Sequence, residues 1–302
     1  MSKSKQAVIA LIVANVIWGA AAPIFKWSLQ DIHPFTLAFL RFFIPIFFVV
    51  IFAPKKIPLR LKDFPLFVLA GLLGISVNIS GFFLGIERTA SINSPIISSS
   101  GPVFILLGSI LFLKEKPSKR MLLGNVIGLT GVLLIILEPL IHTTHSASIA
   151  GNLFLVLATL GAVGGTLCIK SLTKRYDPLT IVFWTFLIGT ITFFPAATGE
   201  IEKYGLATQL LYPGIVGVIF GALFSSFLAY SIYYFALKHM FASQTTVFTY
   251  TDPVVAVLVA APLVHEYPTP LFIFGAFLVF FGIFVAEKRL QYHPIHLFFR
   301  KK

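Results

Sequence analysis

The stretch TDPVVAVLVAAPLVHEYP, Thr251–Pro268, sets an aspartate and a proline inside an apolar helix, and its pattern occurs once more upstream, where Ser100–Pro117 reads SGPVFILLGSILFLKEKP. A shift of 151 residues superimposes Pro102 on Pro253, Glu115 on Glu266 and Pro117 on Pro268, and it carries Gly124 onto Gly275 and Gly131 onto Gly282. The front of each half matches at a different shift, 144, which sets Lys26 on Lys170, Pro34 on Pro178 and Thr36 on Thr180. The extra seven residues lie between the seventh and eighth apolar segments, and the chain reads as two related halves.

Composition narrows the class. Of 302 residues 57% are hydrophobic and 11% charged, with a mean hydropathy of +0.93; a soluble domain is about one quarter charged. The chain is therefore expected to be a polytopic membrane protein, with the lipid bilayer as its surroundings. A net charge of +12 would suggest nucleic acid if the basic residues formed a stripe, but they sit in short loops, so no nucleic-acid partner is expected. The single cysteine, Cys168, stands in an apolar run without metal-ligand company and reads as a packing residue.

Ten apolar segments are long enough to cross roughly 30 Å of hydrocarbon. They fall near Ala7–Ile24, Pro34–Ala53, Phe64–Ile86, Ser94–Leu113, Met121–Leu137, Ile149–Ile169, Pro178–Pro195, Leu211–Leu237, Ser243–Val264 and Pro270–Ala286. Although the first could pass for a signal peptide, it has a counterpart in the second half and is long for a signal sequence. Of the 23 Lys and Arg, nineteen fall in the loops and tails on the N-terminal side of the bilayer, three (Lys26, Arg88, Lys203) on the other, and Arg41 lies within a segment. Short loops obey the positive-inside rule, so both termini are expected in the cytoplasm of a cell with a cytoplasmic (inner) membrane. Five segments per half is an odd number, so the halves enter the membrane from opposite sides. The expected fold is all-α, with ten transmembrane helices in two inverted five-helix repeats, 1–140 and 141–290, followed by a basic tail, 291–302, attracted to anionic lipid. Inverted repeats around one central site are an architecture of alternating access.

The residues resemble the drug/metabolite transporter superfamily and its ten-helix EamA branch. The resemblance rests on Trp18-Gly19 with Pro23 and Lys26, on Pro34 followed by Arg41-Phe42, and on Pro102-Val103 and Pro253-Val254, each with a later Glu-x-Pro and a Gly-rich closing helix. Lys114-Glu115 and His265-Glu266 depart from the Gly-Glu usual there. The resemblance implies export of small metabolites such as amino acids through a central cavity, without ATP. The sequence has no phosphate-binding Gly-rich loop with Lys-Ser/Thr and no catalytic constellation, so neither an enzyme, a cofactor nor a metal is expected. A non-transport assembly or receptor subunit on the same scaffold is the alternative, because fold does not dictate function.

Polar groups inside apolar helices turn inward, because facing lipid is costly. The candidate cavity residues are Asn15 and Trp18 on one face of the first helix, Arg41, Asn78, Ser98, and Thr245, Thr249 and Tyr250 of the ninth segment. Small residues at these spacings also serve helix packing. The Gly124, Gly128, Gly131 and Gly275, Gly282 series reads as packing between the two closing helices, with a monomer or weak homodimer as the assembly. Amides, hydroxyls and aromatics with a single basic group suit an uncharged or zwitterionic substrate, whereas a phosphate carrier would want several cations. Arg41 either snorkels to headgroups or faces the cavity to bind a carboxylate or pair with an acid. Of eleven acids only Asp252 falls inside a segment, roughly 14 Å deep counted from Ser243. A charge at that depth costs several kcal/mol, so Asp252 is expected to be protonated or paired. It is the candidate for proton coupling, and Pro253, which has no N–H, cannot donate to the Thr249 carbonyl.

Overall fold

The computed structural model describes residues 3–52, 57–101, 104, 119–141, 148–240, 245, 248–249 and 251–286. Glu115, the Pro102-Val103 pair, Tyr250 and the tail from Glu287 lie outside these residues. Among the described residues the regular structure is all helical, without strands.

The helices are α1 (Lys3–Ser28), α2 (Pro34–Phe52), α3 (Leu61–Arg88), α4 (Asn93–Ser98), α5 (Lys119–Ile141), α6 (Ile149–Leu172), α7 (Pro178–Tyr204), α8 (Tyr212–His239), α9 (Thr251–Val264) and α10 (Pro270–Ala286). Six of them, α1, α2, α3, α6, α7 and α8, are long and apolar enough to cross a membrane. The outward faces of the bundle carry Phe47, Ile51, Leu167, Phe194, Leu258 and Phe277 in the open, whereas Asn15, Arg41, Asn152 and Ser225 are buried. That inversion of the usual surface is what a hydrocarbon solvent selects.

Start signals are legible. Pro34 and Pro178 stand at first helical positions, where a missing N–H costs nothing. The N-terminus of α2 is capped from a distance: the Glu200 carboxylate accepts from Thr36 N at 2.7 Å and from the Thr36 hydroxyl at 2.9 Å. Consequently α7 does not stop at Pro195 as expected but runs on to Tyr204, and Gly205, at φ +79°, ends it. Besides Asp252, five acids thus lie within the described helices: Asp63, Glu87, Glu138, Glu200 and Glu202. Glu200 caps α2, and Glu138 on α5 accepts from the Thr269 hydroxyl.

Two helices contain a wide turn, Leu72–Val77 in α3 and Phe220–Leu228 in α8. The 151-residue shift carries Leu72 to position 223 and Val77 to 228, inside the second wide turn. A second shared feature is an interruption. The Ser100 hydroxyl bonds to the Ile97 carbonyl just after α4, and the Thr251 hydroxyl bonds to the Phe248 carbonyl at the start of α9; both pairs are 151 apart. Asp252 accordingly stands in the first turn of α9 and not in the middle of one continuous helix.

Packing follows the same numbering. The bundle pairs α1 with α8 and α9, α6 with α3 and α4, α2 with α7, and α5 with α10. The glycines of the last pair are consumed inside it, since a Cβ on Gly131 would lie 2.5 Å from the Gly275 carbonyl oxygen. Close backbone approach through small residues is a chief means of association for helices in lipid.

Candidate functional site

A cavity of about 260 Å³ opens between α1, α2, α3, α4, α6, α8 and α9. From α1, Trp18, Ala22 and Phe25 face it at helical spacing, and from α6 so do Thr159, Ala162 and Thr166. Asn78 and Phe82 enter from α3, Ser94 and Ser98 from α4, Tyr230, Tyr233 and Tyr234 from α8, and Thr249 and Asp252 from the α9 end.

Arg41 is buried, 2% exposed, and lines the cavity, so it does not snorkel. Its Nε donates to Ser226 Oγ at 3.1 Å and its Nη2 to Ser225 Oγ at 2.9 Å. Its guanidinium carbon lies 4.6 Å from the Phe25 ring centre and 4.9 Å from that of Phe42, close enough for cation–π attraction. The ion pairs among the described residues are Lys26–Glu266, Arg88–Glu87, Arg175–Asp63 and Lys238–Asp177. Arg41 therefore pairs with none of the described carboxylates, and Asp252 is not its partner. Of its five N–H donors two are engaged among the described residues, which leaves three to meet a bound solute.

Asp252 is 8% exposed, and its Oδ1 makes no hydrogen bond among the described residues. Its backbone is seated against α1. A Cβ on Gly19 would meet the Asp252 carbonyl oxygen and Val255 Cβ, both at 2.8 Å, so only glycine permits this crossing. The neighbouring residue, Trp18, donates its Nε1–H to the Ser225 carbonyl at 3.0 Å and meets Tyr230 and Tyr233 edge-on at 5.2 and 5.1 Å. The wide turn of α8 is what exposes that carbonyl, as wide turns commonly do at functional sites.

The other sequence candidates divide. Asn78 lines the cavity and donates to the Ala158 carbonyl at 2.8 Å, and Ser98 lines it with its hydroxyl turned back on the Pro95 carbonyl. Thr249 lines it as expected. Asn15 does not: it is fully buried and donates to the Leu11 carbonyl of its own helix at 2.7 Å. Thr245 is buried and is not among the residues that line the cavity. Tyr250 falls outside the described residues. The sequence reading missed Tyr230, Tyr233 and Tyr234, although their i, i+3, i+4 spacing in an apolar helix was the available signal. It also missed Ser225 and Ser226, the hydroxyls that hold Arg41.

Residues expected to be loop surface instead form a buried polar cluster that ties α1 to the α3–α4 turn and the end of α9. Lys26 Nζ pairs with Glu266 Oε1 at 2.8 Å and donates to the Thr89 carbonyl. Glu266 Oε2 accepts from Ser91 N at 2.7 Å and from the Ser91 hydroxyl at 2.6 Å. The counterpart Lys170 donates to the Met240 carbonyl at 2.6 Å, and Met240 is the position that the 151-residue shift assigns to Thr89.

An all-helical bundle that turns apolar side chains outward and sets Arg41 and Asp252 on a cavity among its helices defines a multi-pass membrane protein built to hold a solute. The chain belongs to the EamA-like transporter family, whose model matches it twice, over residues 5–137 and 149–287. It is a transporter and not an enzyme. An "Uncharacterized transporter" of Archaeoglobus fulgidus is 31% identical over 283 residues, 93% of this chain and 98% of that one. A "Probable amino-acid metabolite efflux pump" of Escherichia coli is 27% identical, over 93% and 94% of the two chains. A solved crystal structure superposes with a TM-score of 0.67 at 15% identity, covering 96% and 99%, which shows the fold alone.

Proposed function

We propose that this transporter exports a small zwitterionic or uncharged metabolite of amino-acid type across the cytoplasmic membrane by alternating access, in exchange for protons. Its frame is ten crossings in two inverted repeats, 1–140 and 141–290, with both termini and the basic tail, 291–302, in the cytoplasm. The lopsided distribution of Lys and Arg supports that orientation. The helix pairs, which interchange under the repeat numbering, support the inverted arrangement.

The observation that carries the reading is that Arg41 and Asp252, both buried, line one cavity without pairing with each other. Arg41 offers free guanidinium donors to a carboxylate, and Asp252 offers an oxygen without a partner to an ammonium group or a proton. Substrate amine and proton then compete for the same carboxylate, which links the two fluxes. Trp18, Asn78, Ser98 and Thr249 shape the space around the solute. The cavity volume of about 260 Å³ lies just below the usual range of ligand pockets and suits a single small solute. The efflux-pump name of the Escherichia coli relative supports the amino-acid class. The protein works as a monomer or weak homodimer, with the solute and the bilayer as its partners.

Reconstitution into liposomes with a panel of radiolabelled neutral, acidic and basic amino acids and sugars tests the reading. A pH gradient across the membrane should drive accumulation of one or more neutral amino acids. Movement of no solute in the panel would contradict it.

A further inference from the structure

Two adjacent residues of α1 touch both charges of the cavity through different partners. The Trp18 indole holds the Ser225 carbonyl at 3.0 Å, and the Ser225 hydroxyl holds Arg41 at 2.9 Å. Gly19 carries the backbone of Asp252, with its carbonyl oxygen 2.8 Å from where a Cβ would be built. Arg41 comes from α2, the serines from the wide turn of α8 and Asp252 from α9. Among the described residues α1 packs on α8 and α9 at once.

We propose that Trp18-Gly19 is the coupling element of the transporter: a carboxylate bound at Arg41 moves the α8 wide turn, Trp18 follows its carbonyl, and Gly19 resets α9 so that Asp252 gives up its proton. This rests on the assignment of Arg41 and Asp252 above. The contact is stiff on both sides. Trp18 is wedged edge-on between Tyr230 and Tyr233, and the Gly19 crossing leaves no room for even a methyl group. The wide turn is the yielding part, because its backbone is already out of α-helical register and its carbonyl is held by a side chain.

Coupling of this kind differs in sign from simple electrostatics. By charge alone, an anion on Arg41 disfavours a second negative charge at Asp252, so protonation becomes easier. Mechanical exchange does the reverse, and linkage makes the effect reciprocal between anion and proton. The titratable groups that share the cavity lining with Asp252 are Arg41 from α2 and Tyr230, Tyr233 and Tyr234 from α8; α1, α3, α4 and α6 contribute none to it. Among these side-chain types only a carboxylate ordinarily titrates below about pH 8.

The test uses the full chain in detergent with Trp27→Phe and Trp184→Phe, which leaves Trp18 as the one indole of three, and acetate as the carboxylate probe. Trp18 emission should change in one step between about pH 5 and 8, and the step should vanish with Asp252→Asn. Saturating acetate should move its midpoint to lower pH by about 0.7 unit or more, a fivefold coupling at the low end of the usual range. Arg41→Gln should abolish the acetate shift and keep the step. Ser225→Ala with Ser226→Ala, which frees the guanidinium without removing its charge, should abolish the shift as well. A midpoint that rises or stays put with acetate, or a downward shift that survives the serine replacements, would overturn the coupling role of Trp18-Gly19. A pH step that survives Asp252→Asn overturns instead the assignment of Asp252 as the proton site.

Discussion

The two halves of the cavity share a shape and differ in chemistry. The 144 and 151 shifts relate Trp18 to Ala162, Ala22 to Thr166, Phe25 to Ile169, Gly74 to Ser225, Ile79 to Tyr230, Phe82 to Tyr233, Ser98 to Thr249 and Gly101 to Asp252, and all sixteen line the cavity. The wide turn of α3 is buried backbone to backbone, since a Cβ on Gly161 of α6 would lie 2.7 Å from the Leu73 carbonyl oxygen. In the other half a Trp stands beside the corresponding turn and bonds its carbonyl, and Arg41 takes its hydroxyls. One turn is spent on packing and the other on the site. The container is symmetric under the repeat numbering, and the polar groups of α8 and α9, with Arg41, make its lining chemically uneven.

Several substitutions break or sharpen this contrast. Arg41→Lys has the largest effect short of losing the coupling itself. A point charge cannot keep both serine bonds and a bidentate carboxylate, so apparent affinity for a carboxylate substrate should fall by about 10- to 100-fold, the worth of a hydrogen bond to a charged group. Competition binding with the amino acid and its decarboxylated amine measures it, because the amine should be nearly unaffected. Trp18→Phe keeps an aromatic ring and removes the N–H. Loss of one hydrogen bond of about 1 kcal/mol predicts a several-fold weakening, whereas Ala162→Ser, at the related position in the other half, should change transport less than about twofold. Replacing Glu266 by Gln should lower stability by about 1–3 kcal/mol, because Lys26 loses its ionic partner while Ser91 keeps an acceptor; thermal unfolding in detergent reads it. Ser98→Ala is the mildest, with transport within about twofold of wild type, since that hydroxyl already bonds its own helix.

The frame was legible in the sequence because it rests on period, length and punctuation. Pro34, Pro178 and Pro270 start helices where expected, and α6 begins at Ile149 as expected. Arg41 and Asp252 could be found by counting, since charge in an apolar run is its own signal. What counting could not give is what lies beside a residue. Asn15 sits on the right face of α1 yet binds its own helix, and Glu200 and Glu266, read as loop acids, are anchors for α2 and for the α3–α4 turn. The wide turns left no mark, since neither contains a proline. The three tyrosines of α8 passed as apolar bulk because an aromatic ring and its hydroxyl cannot be weighed apart without a neighbour to bond.

The asymmetry comes to a point at one pair of related positions, Gly101 and Asp252. In proteoliposomes, Asp252→Asn should still exchange a labelled neutral amino acid at equal pH on both sides, more slowly than wild type because the ammonium group loses its carboxylate. It should fail to concentrate that amino acid when a gradient of one pH unit is imposed, where wild type can reach about tenfold for one proton per solute. Undiminished accumulation by Asp252→Asn would contradict the account.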